Sequence, residues 1–339
     1  MAKGVEDTAY YRYTRFIALN EVGGDPSQFG ADVAVFHRAQ EHRLQHWPAA
    51  MITLSTHDTK RSEDVRASLF ALAELPDEWG YLVRTLMESL PLSSRRMGYL
   101  LWQTLAGTGF IQRRRIHDYV EKAMREACEE TNWIDPADRF EAEIHAAINV
   151  AYDDHALRAP IQQFVNRISA SARSNSLSQK LIALTMPGVP DVYQGTEVYD
   201  DSLVDPDNRR PVDYVDRRRL LSDLSTSRQP GPPHSLDQEK MVVVCSALRA
   251  RRDRPDLFTT YQPVEITGPL SRYAVGFDRG GAITLATRLP AALAAHGGWD
   301  QTRLMLNGTW QDALTGRIVR GSTRVGDVLA DLPVALLVR

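Results

Sequence analysis

A run of strand-like residues that turns abruptly polar limits most strongly what this chain can fold into. Residues 51–66 read Met-Ile-Thr-Leu-Ser-Thr-His-Asp-Thr-Lys-Arg-Ser-Glu-Asp-Val-Arg. The apolar and β-branched start favours a buried strand, and the charged end favours a helix. In parallel α/β folds the carboxyl ends of the strands carry the chemistry. The pattern therefore predicts that His57 and Asp58 stand at a strand mouth, with Lys60 and Arg61 on its rim.

The polar residues after this strand allow two interpretations. A carboxylate held at a strand end can accept hydrogen bonds from vicinal hydroxyls and stabilise positive charge that develops in a transition state. Alternatively, Ser55 to Asp58 form a loop that caps a helix starting near Ser62. The pattern alone does not separate a binding site from a helix cap.

Three long stretches resemble one enzyme family, and they occur in the family's order. They are residues 51–66; Met-Ala-Lys-Gly-Val-Glu-Asp-Thr-Ala-Tyr-Tyr-Arg-Tyr at 1–13; and Pro-Gly-Val-Pro-Asp-Val-Tyr-Gln-Gly-Thr-Glu at 187–197, followed by Leu-Val-Asp-Pro-Asp-Asn-Arg-Arg-Pro-Val-Asp at 203–213. The family is maltooligosyltrehalose synthase, within the α-amylase superfamily. The resemblance runs through essentially the whole chain. It implies that the chain corresponds to the carboxyl-terminal portion of the enzyme and opens near the sixth barrel strand.

The resemblance also implies a reaction and a role for two residues. The family re-attaches the reducing-end glucose of a maltooligosaccharide through an α,α-1,1 bond, an intramolecular, retaining transglucosylation that makes the enzyme an isomerase. Asp58 matches the carboxylate that stabilises the transition state, and His57 matches its sugar-contacting neighbour. The family's nucleophile and general acid lie on the fourth and fifth strands. We therefore expect this chain alone to be inactive and to need an amino-terminal half, as a split partner or as part of the parent chain.

Further residues are substrate-binding candidates. The family match favours the charged residues near the start of the chain, and the segment after Gly188 is expected to project side chains near the mouth that holds Asp58. The loop 205–211 suits polyol recognition, but it also fits an internal Asp–Arg network, and we expect both. The complete set of candidates is Lys3, Glu6, Lys60, Arg61, Tyr193, Gln194, Glu197, Asp207, Asn208 and Arg209.

Composition narrows the choice of partners and compartment. Lys and Arg total 40 and Asp and Glu 43, so the formal net charge of −3 does not favour a nucleic-acid partner. Cys128 and Cys245 have no metal or redox spacing and are expected to be buried thiols in a reducing compartment. No long apolar run suggests a membrane span, so we expect a cytoplasmic protein. No cofactor is implied, and the histidines of residues 37–46 lack the partners of a metal site.

We expect an α/β fold: a partial (β/α)8 barrel with a large helical insertion, plus a C-terminal antiparallel β-sandwich domain. The insertion is predicted because helical periodicity continues from Ser62 to about Arg173, much longer than one crossover helix needs. Short alternating runs after Asp256 predict the sandwich. The expected parts are 1–61 with barrel strands six and seven, 62–175 as the insertion, 176–224 with the final strand and substrate loop, 225–238 as a linker, and 239–339 with a helix and the sandwich.

Local patterns predict individual elements. Residues 32–47 are expected to form a helix, and Asp135-Pro136 is expected to start another one. A short buried strand is predicted around Val192 and Tyr193, ending at Gly195. Residues 239–252 fit a helix or a strand, and the charge that follows them favours a helix.

Two other functions stay open at this stage. One is a hydrolase or a different transglycosylase of the α-amylase superfamily, which product analysis would distinguish from a synthase. The other is a non-catalytic glucan-binding module built from the helices and the sandwich. Maltooligosaccharide binding that survives Asp58→Ala would favour such a module.

Overall fold

A computed structural model describes the protein over residues 4–226 and 235–339. Lys3 and the centre of the predicted linker lie outside these ranges. The helices are α1 (Val5–Arg12), α2 (Val33–His46), α3 (Glu63–Glu74), α4 (Pro76–Ser89), α5 (Arg95–Thr108), α6 (Arg113–Ala127), α7 (Asp138–Asp153), α8 (His155–Thr185), α9 (Tyr214–Thr226), α10 (Leu236–Asp253), α11 (Pro290–Ala295) and α12 (Val325–Val328). The strands are β1 (Met51–Ile52), β2 (Val189–Pro190), β3 (Gln262–Pro263), β4 (Ile266–Thr267), β5 (Ala274–Asp278), β6 (Ala282–Thr287), β7 (Arg303–Asp312), β8 (Ile318–Arg324) and β9 (Val334–Val338).

The predicted helices are present, with one incorrect start. Helix α2 begins where expected because the Asp32 carboxylate accepts the Val35 N–H at 2.7 Å. The ambiguous segment 239–252 lies within helix α10. The predicted start at Asp135 is wrong, because the Asn132 side chain accepts the N–H of Asp135 at 2.9 Å and so forms a turn there. Helix α7 begins three residues later.

The chain divides into two compact units, and the first is helical. Its described residues are 4–29, 57–172 and 201–210. Helices α3, α5, α6 and α7 supply its core, in which Leu69, Trp102, Val120 and Ile148 are at most 1% exposed. Each of these helices repeats apolar residues at three- and four-residue intervals, so each buries one continuous face. The segment predicted as a helical insertion is thus helical and contributes to the core of this unit. Its boundaries as an insertion stay a prediction.

The second unit contains the strands, and its described residues are 30–56, 173–200, 211–226 and 235–339. Strands β3 to β9 form one antiparallel sheet in the order β3-β5-β6-β9-β7-β4, with β8 paired to β7. The turn 278–281 joins β5 and β6 as a hairpin. A second sheet, which a β-sandwich needs, stays a prediction. Strands β7 and β8 were not predicted, because the register of β7 shifts between Met305 and Thr309 and interrupts the alternation of its side chains.

The two parallel strands are shorter than expected. Strand β1 pairs with β2 through only two residue pairs, Met51 with Val189 and Ile52 with Pro190. The strand predicted around Val192 and Tyr193 is therefore placed two to three residues too late. The reason is local: Gly188, at φ +123°, brings its backbone so close to Ala50 that a Cβ atom would lie 2.6 Å from the Ala50 carbonyl oxygen. This pair is consistent with part of a parallel barrel, and complete barrel geometry stays a prediction.

Two findings concern the predicted compartment. No helix within the described ranges is both long and apolar enough to cross a membrane. Cys128 is exposed, so the expectation that both thiols are buried is wrong for it. It caps the end of helix α6 in a left-handed conformation, at φ 51°. Cys245 is partly buried, and burial raises the pKa of its thiol.

A pair of histidines joins helices α6 and α7. The Nδ1 atoms of His117 and His145 are 2.8 Å apart, and His117 Nε2 lies 3.2 Å from the Asn149 side-chain oxygen. A hydrogen bond between two Nδ1 atoms requires one of them to be unprotonated, so the bond cannot form if both Nδ1 atoms carry a proton. Burial and then the neighbouring His117 lower the pKa of His145, while Glu121 and Glu141 oppose this shift and Arg125 adds to it.

This pair predicts that the helical unit loses stability in mild acid. Because the folded-state pKa of His145 lies below its unfolded value of 6.5, the stabilisation is complete above about pH 6.5 and is lost as the pH falls. Between pH 7.5 and 5.5 we expect the thermal midpoint of the native protein to fall by roughly 2 °C more than that of His145→Gln. Differential scanning calorimetry checks this. An identical pH dependence of the two proteins would contradict the assignment.

Candidate functional site

The predicted centre of the site, His57 and Asp58, lies on a turn in the first unit. This turn leads into helix α3, whose first residue is Glu63. Both side chains are exposed, and the Asp58 side chain retains 54% of its accessible surface. Ser62 caps the helix by accepting the Val65 N–H. The capping group is therefore Ser62, and the helix-cap interpretation of Ser55 to Asp58 is not needed.

A buried glutamate holds the backbone of this turn. The two carboxylate oxygens of Glu21 accept the Lys60 N–H at 2.8 and 3.0 Å, and one of them accepts the Arg61 N–H at 3.3 Å. The same group accepts the Val22 N–H at 2.9 Å. A carboxylate binds amide protons more strongly than a neutral acceptor would. Glu21 therefore fixes the chain directly after Asp58.

The Lys60 ammonium bridges two carboxylates. Its Nζ lies 2.8 Å from Asp7 Oδ1 and 3.2 Å from Asp58 Oδ1, and its side chain is only 4% exposed. Burial lowers the pKa of Lys60, but the bonds to Asp7 and Asp58 outweigh that effect and raise it above the usual value. Lys60 is therefore a buried cation that limits the positions open to the Asp58 side chain.

Arg61 is a packing residue and does not lie on a rim. It is 1% exposed, and its guanidinium donates to the Ile17 carbonyl at 3.1 Å and to the Tyr119 hydroxyl at 2.8 Å. Lys60 is also buried, so the expected rim position is wrong for both residues. The reason is that Asp7 and Asp58 accept from the Lys60 ammonium, and the Ile17 carbonyl and the Tyr119 hydroxyl accept from the Arg61 guanidinium. Because Arg61 is buried, the substrate contact predicted for it is not part of the proposed site.

The loop 201–210 approaches the same turn from the other side. Asn208 is buried, and its side-chain amide donates to the His57 carbonyl at 3.0 Å. The turn is thus held by Glu21 on one side and by Asn208 on the other. The sequence offered Asn208 as a sugar contact, and this observed bond gives it a positioning role.

An ion-pair network fixes that loop, as one of the two interpretations expected. Arg115 donates to both oxygens of Asp207 at 2.7 and 2.8 Å and to Asp201 at 2.8 Å. Burial raises the pKa of Asp207, but the bonds from Arg115 and from the Leu203 N–H lower it further, so the net shift is downward. Arg209 is exposed and pairs with Asp205 at 2.6 Å. Sugar contact by Asp207 or Arg209 stays a prediction.

The remaining candidates in the first unit are at its amino-terminal end. Glu6 is exposed, and one of its oxygens lies 2.6 Å from the Tyr10 hydroxyl. Burial, followed by this bond to Glu6, raises the pKa of Tyr10. Lys3 lies outside the described residues, so its predicted role is unchanged.

Three candidates belong to the second unit. Gln194 is exposed and Tyr193 is partly buried, and both lie at the turn that follows β2. Glu197 pairs with Arg217 at 3.3 Å, and Arg217 also donates to the Gly195 carbonyl at 2.8 Å. This pairing holds the turn in shape within its own unit. The predicted position of these side chains beside Asp58 stays a prediction.

Sequence reasoning missed the residues that hold the turn in place. Glu21, Asp7 and Arg115 contact candidate residues, but none of them was predicted to position the site. The sequence held little signal for Glu21, because it lies between Asn20 and Val22 in the run Ile-Ala-Leu-Asn-Glu-Val at 17–22, and an isolated charged residue after a short apolar run is usually exposed. Among the described residues, no cluster of three or more His, Cys, Asp or Glu side chains is arranged to hold a metal ion.

Comparisons with known proteins give a consistent result. A protein of Mycobacterium tuberculosis strain CDC 1551, itself assigned by inference as a maltooligosyl trehalose synthase, is 42% identical over 348 residues. That match takes in 100% of this chain and 44% of the relative. No protein-family model matches the chain.

Solved structures agree with the sequence match. The maltooligosyltrehalose synthase of Arthrobacter ramosus is 48% identical and superposes with a TM-score of 0.96, over 100% of this chain and 45% of that structure. A structure described as DSM5389 glycosyltrehalose synthase is 30% identical, with a TM-score of 0.87 over 99% of this chain and 44% of its own. The chain therefore spans a little under half the length of the relatives that it matches. Over its whole length it corresponds to the carboxyl-terminal portion of the maltooligosyl trehalose synthases.

Proposed function

We propose that this chain is the carboxyl-terminal part of a maltooligosyltrehalose synthase and that Asp58 is its transition-state-stabilising carboxylate. The observation that carries the proposal is an exposed carboxylate on a turn whose backbone is bonded on both sides, by Glu21 and Asn208. A fixed charge costs no reorganisation when positive charge develops on a substrate, so it stabilises a transition state better than a mobile one. Two proteins described as synthases match the whole of this chain at 42% and 48% identity, and these matches support the substrate class.

The proposed reaction is a retaining intramolecular transglucosylation. A carboxylate nucleophile attacks the anomeric carbon at the terminal α-1,4 bond while an acid protonates the departing oxygen, which gives a glycosyl-enzyme and a released glucose. The anomeric hydroxyl of that glucose then attacks the glycosyl-enzyme, with its proton passing to the same acid/base group. Asp58 lowers the energy of the oxocarbenium-like state in both steps, and His57 contacts the sugar.

The nucleophile and the acid are proposed to lie in the portion of the synthase that this chain does not match. A stabilising carboxylate alone leaves most of the barrier in place, so we expect no turnover by the isolated chain. The N-terminal portion is therefore the proposed partner, either in the parent polypeptide or as a separate chain.

A chimera tests this function directly. This chain would replace the matching 45% of the Arthrobacter ramosus synthase, which the 0.96 TM-score makes structurally feasible. Incubation with maltopentaose should consume reducing ends and give a non-reducing product of unchanged mass, resolved by chromatography. Glucose and shorter maltooligosaccharides as the main products would indicate a superfamily hydrolase instead. Turnover by the isolated chain would contradict the assignment of the other two carboxylates.

Replacement of the central carboxylate is the first prediction from this proposal. Asp58→Asn in the chimera keeps the size of the side chain but removes its charge, so we expect kcat to fall roughly 10²–10³-fold. Asp135→Asn, at an exposed aspartate outside the site, serves as the matched control and should keep full activity. A loss of less than about threefold for Asp58→Asn would contradict the proposed role.

Replacement of Glu21 is the second prediction. Glu21→Gln replaces a charged acceptor of three backbone N–H groups with a neutral amide, so the turn should lose order and kcat should fall at least about tenfold. We expect KM to change much less, because Glu21 acts through the backbone and does not touch the substrate. Glu88→Gln, at an exposed glutamate on helix α4, is the control. Unchanged kcat in a folded Glu21→Gln chimera would refute the positioning role.

A further inference from the structure

A cavity of about 730 Å³ opens in the first unit, and none of the candidate site residues lines it. Its walls come from the 13–29 segment, the end of helix α3, the start of helix α4 and helix α5. A volume of this size falls within the usual range for small-molecule sites, which combine apolar walls with a few polar groups. The cavity is therefore a second place in this unit where a ligand can bind.

Aromatic rings form much of the cavity wall. Phe29 is 65% exposed and tilts against Phe16, with ring centroids 5.6 Å apart. Tyr13 is 41% exposed, whereas Trp79 is nearly buried and lies 6.3 Å from the Tyr99 ring. An exposed phenylalanine beside other aromatic rings leaves apolar surface in water, which a ligand with an apolar face can cover.

Three polar groups along this wall are available to a ligand. Trp79 Nε1 can only donate, and it lies 3.3 Å from the Tyr99 hydroxyl oxygen, so the hydrogen of that hydroxyl remains available. Tyr13 and Arg15 have no side-chain hydrogen-bond or ion-pair partner within the described part of the chain. The cavity thus offers aromatic faces together with hydroxyl and guanidinium groups.

We propose that this cavity is a second binding site for a maltooligosaccharide, separate from the Asp58 site. A glucosyl unit has apolar CH faces that pack on aromatic rings and a rim of hydroxyls that need donors and acceptors. Phe29 and Tyr13 supply the faces, and Tyr99 and Arg15 supply hydrogen bonds. The choice of an α-1,4 glucan rests on the proposed function. A second site keeps part of a long substrate near the protein and raises its effective concentration at the first.

Isothermal titration of the isolated chain with maltopentaose tests this proposal. Phe29→Ala removes an exposed stacking ring and should weaken binding about tenfold, which corresponds to about 1.4 kcal/mol. Tyr13→Phe removes only a hydroxyl and should weaken it by a smaller factor. Phe70→Ala, at an exposed phenylalanine outside the cavity, is the matched control and should bind as the native chain does. Unchanged circular dichroism and thermal midpoints would show that each variant folds.

The same titration in an Asp58→Asn background separates the two sites. Binding that persists in Asp58→Asn and falls in Phe29→Ala would support a second site. Equal affinity of Phe29→Ala and the native chain would overturn it, as would no binding by the native chain up to about 10 mM maltopentaose. Failure of the proposed function appears elsewhere, in the products of the chimera, so the two failures are distinguishable.

Discussion

The site depends on one buried carboxylate. Glu21 accepts the backbone N–H groups of Lys60 and Arg61, and these bonds set the path of the chain directly after Asp58. Burying a carboxylate is costly unless its oxygens find partners, and Glu21 has three backbone N–H groups and the Arg66 guanidinium, 3.8 Å away. The arrangement also determines where the Lys60 and Arg61 side chains go, because the backbone that carries them is fixed by these bonds.

The charged side chains around this turn all have polar partners. Lys60 lies between Asp7 and Asp58, and Arg61 donates to the Ile17 carbonyl and the Tyr119 hydroxyl. On the other side, Arg115 fixes Asp207, and the neighbouring Asn208 bonds to the His57 carbonyl. We propose that these buried ions serve a single defined conformation more than stability, since the role proposed for Asp58 requires such a conformation.

Much of the fold, and part of the site, could be predicted from the sequence. Helical periodicity from 62 to 173 predicted the helical unit because amphipathic helices repeat a strong, local signal. Strand β7 escaped prediction because its register shift interrupts the alternation of side chains. The resemblance identified the 51–66 segment, but Lys60 and Arg61 were placed on a rim. Their burial depends on acceptors 44 to 58 residues away in sequence, which are Asp7 for Lys60 and Ile17 and Tyr119 for Arg61, and local patterns do not reveal such contacts.

Amide hydrogen exchange at Lys60 and Arg61 tests the central claim most directly. Amides in an exposed turn normally exchange quickly, whereas those bonded to a buried carboxylate open only with the surrounding structure. The account predicts slow exchange of both amides in the native chain and fast exchange in Glu21→Gln, with helix α5 equally protected in the two proteins. Fast exchange of both amides in the native chain would contradict it.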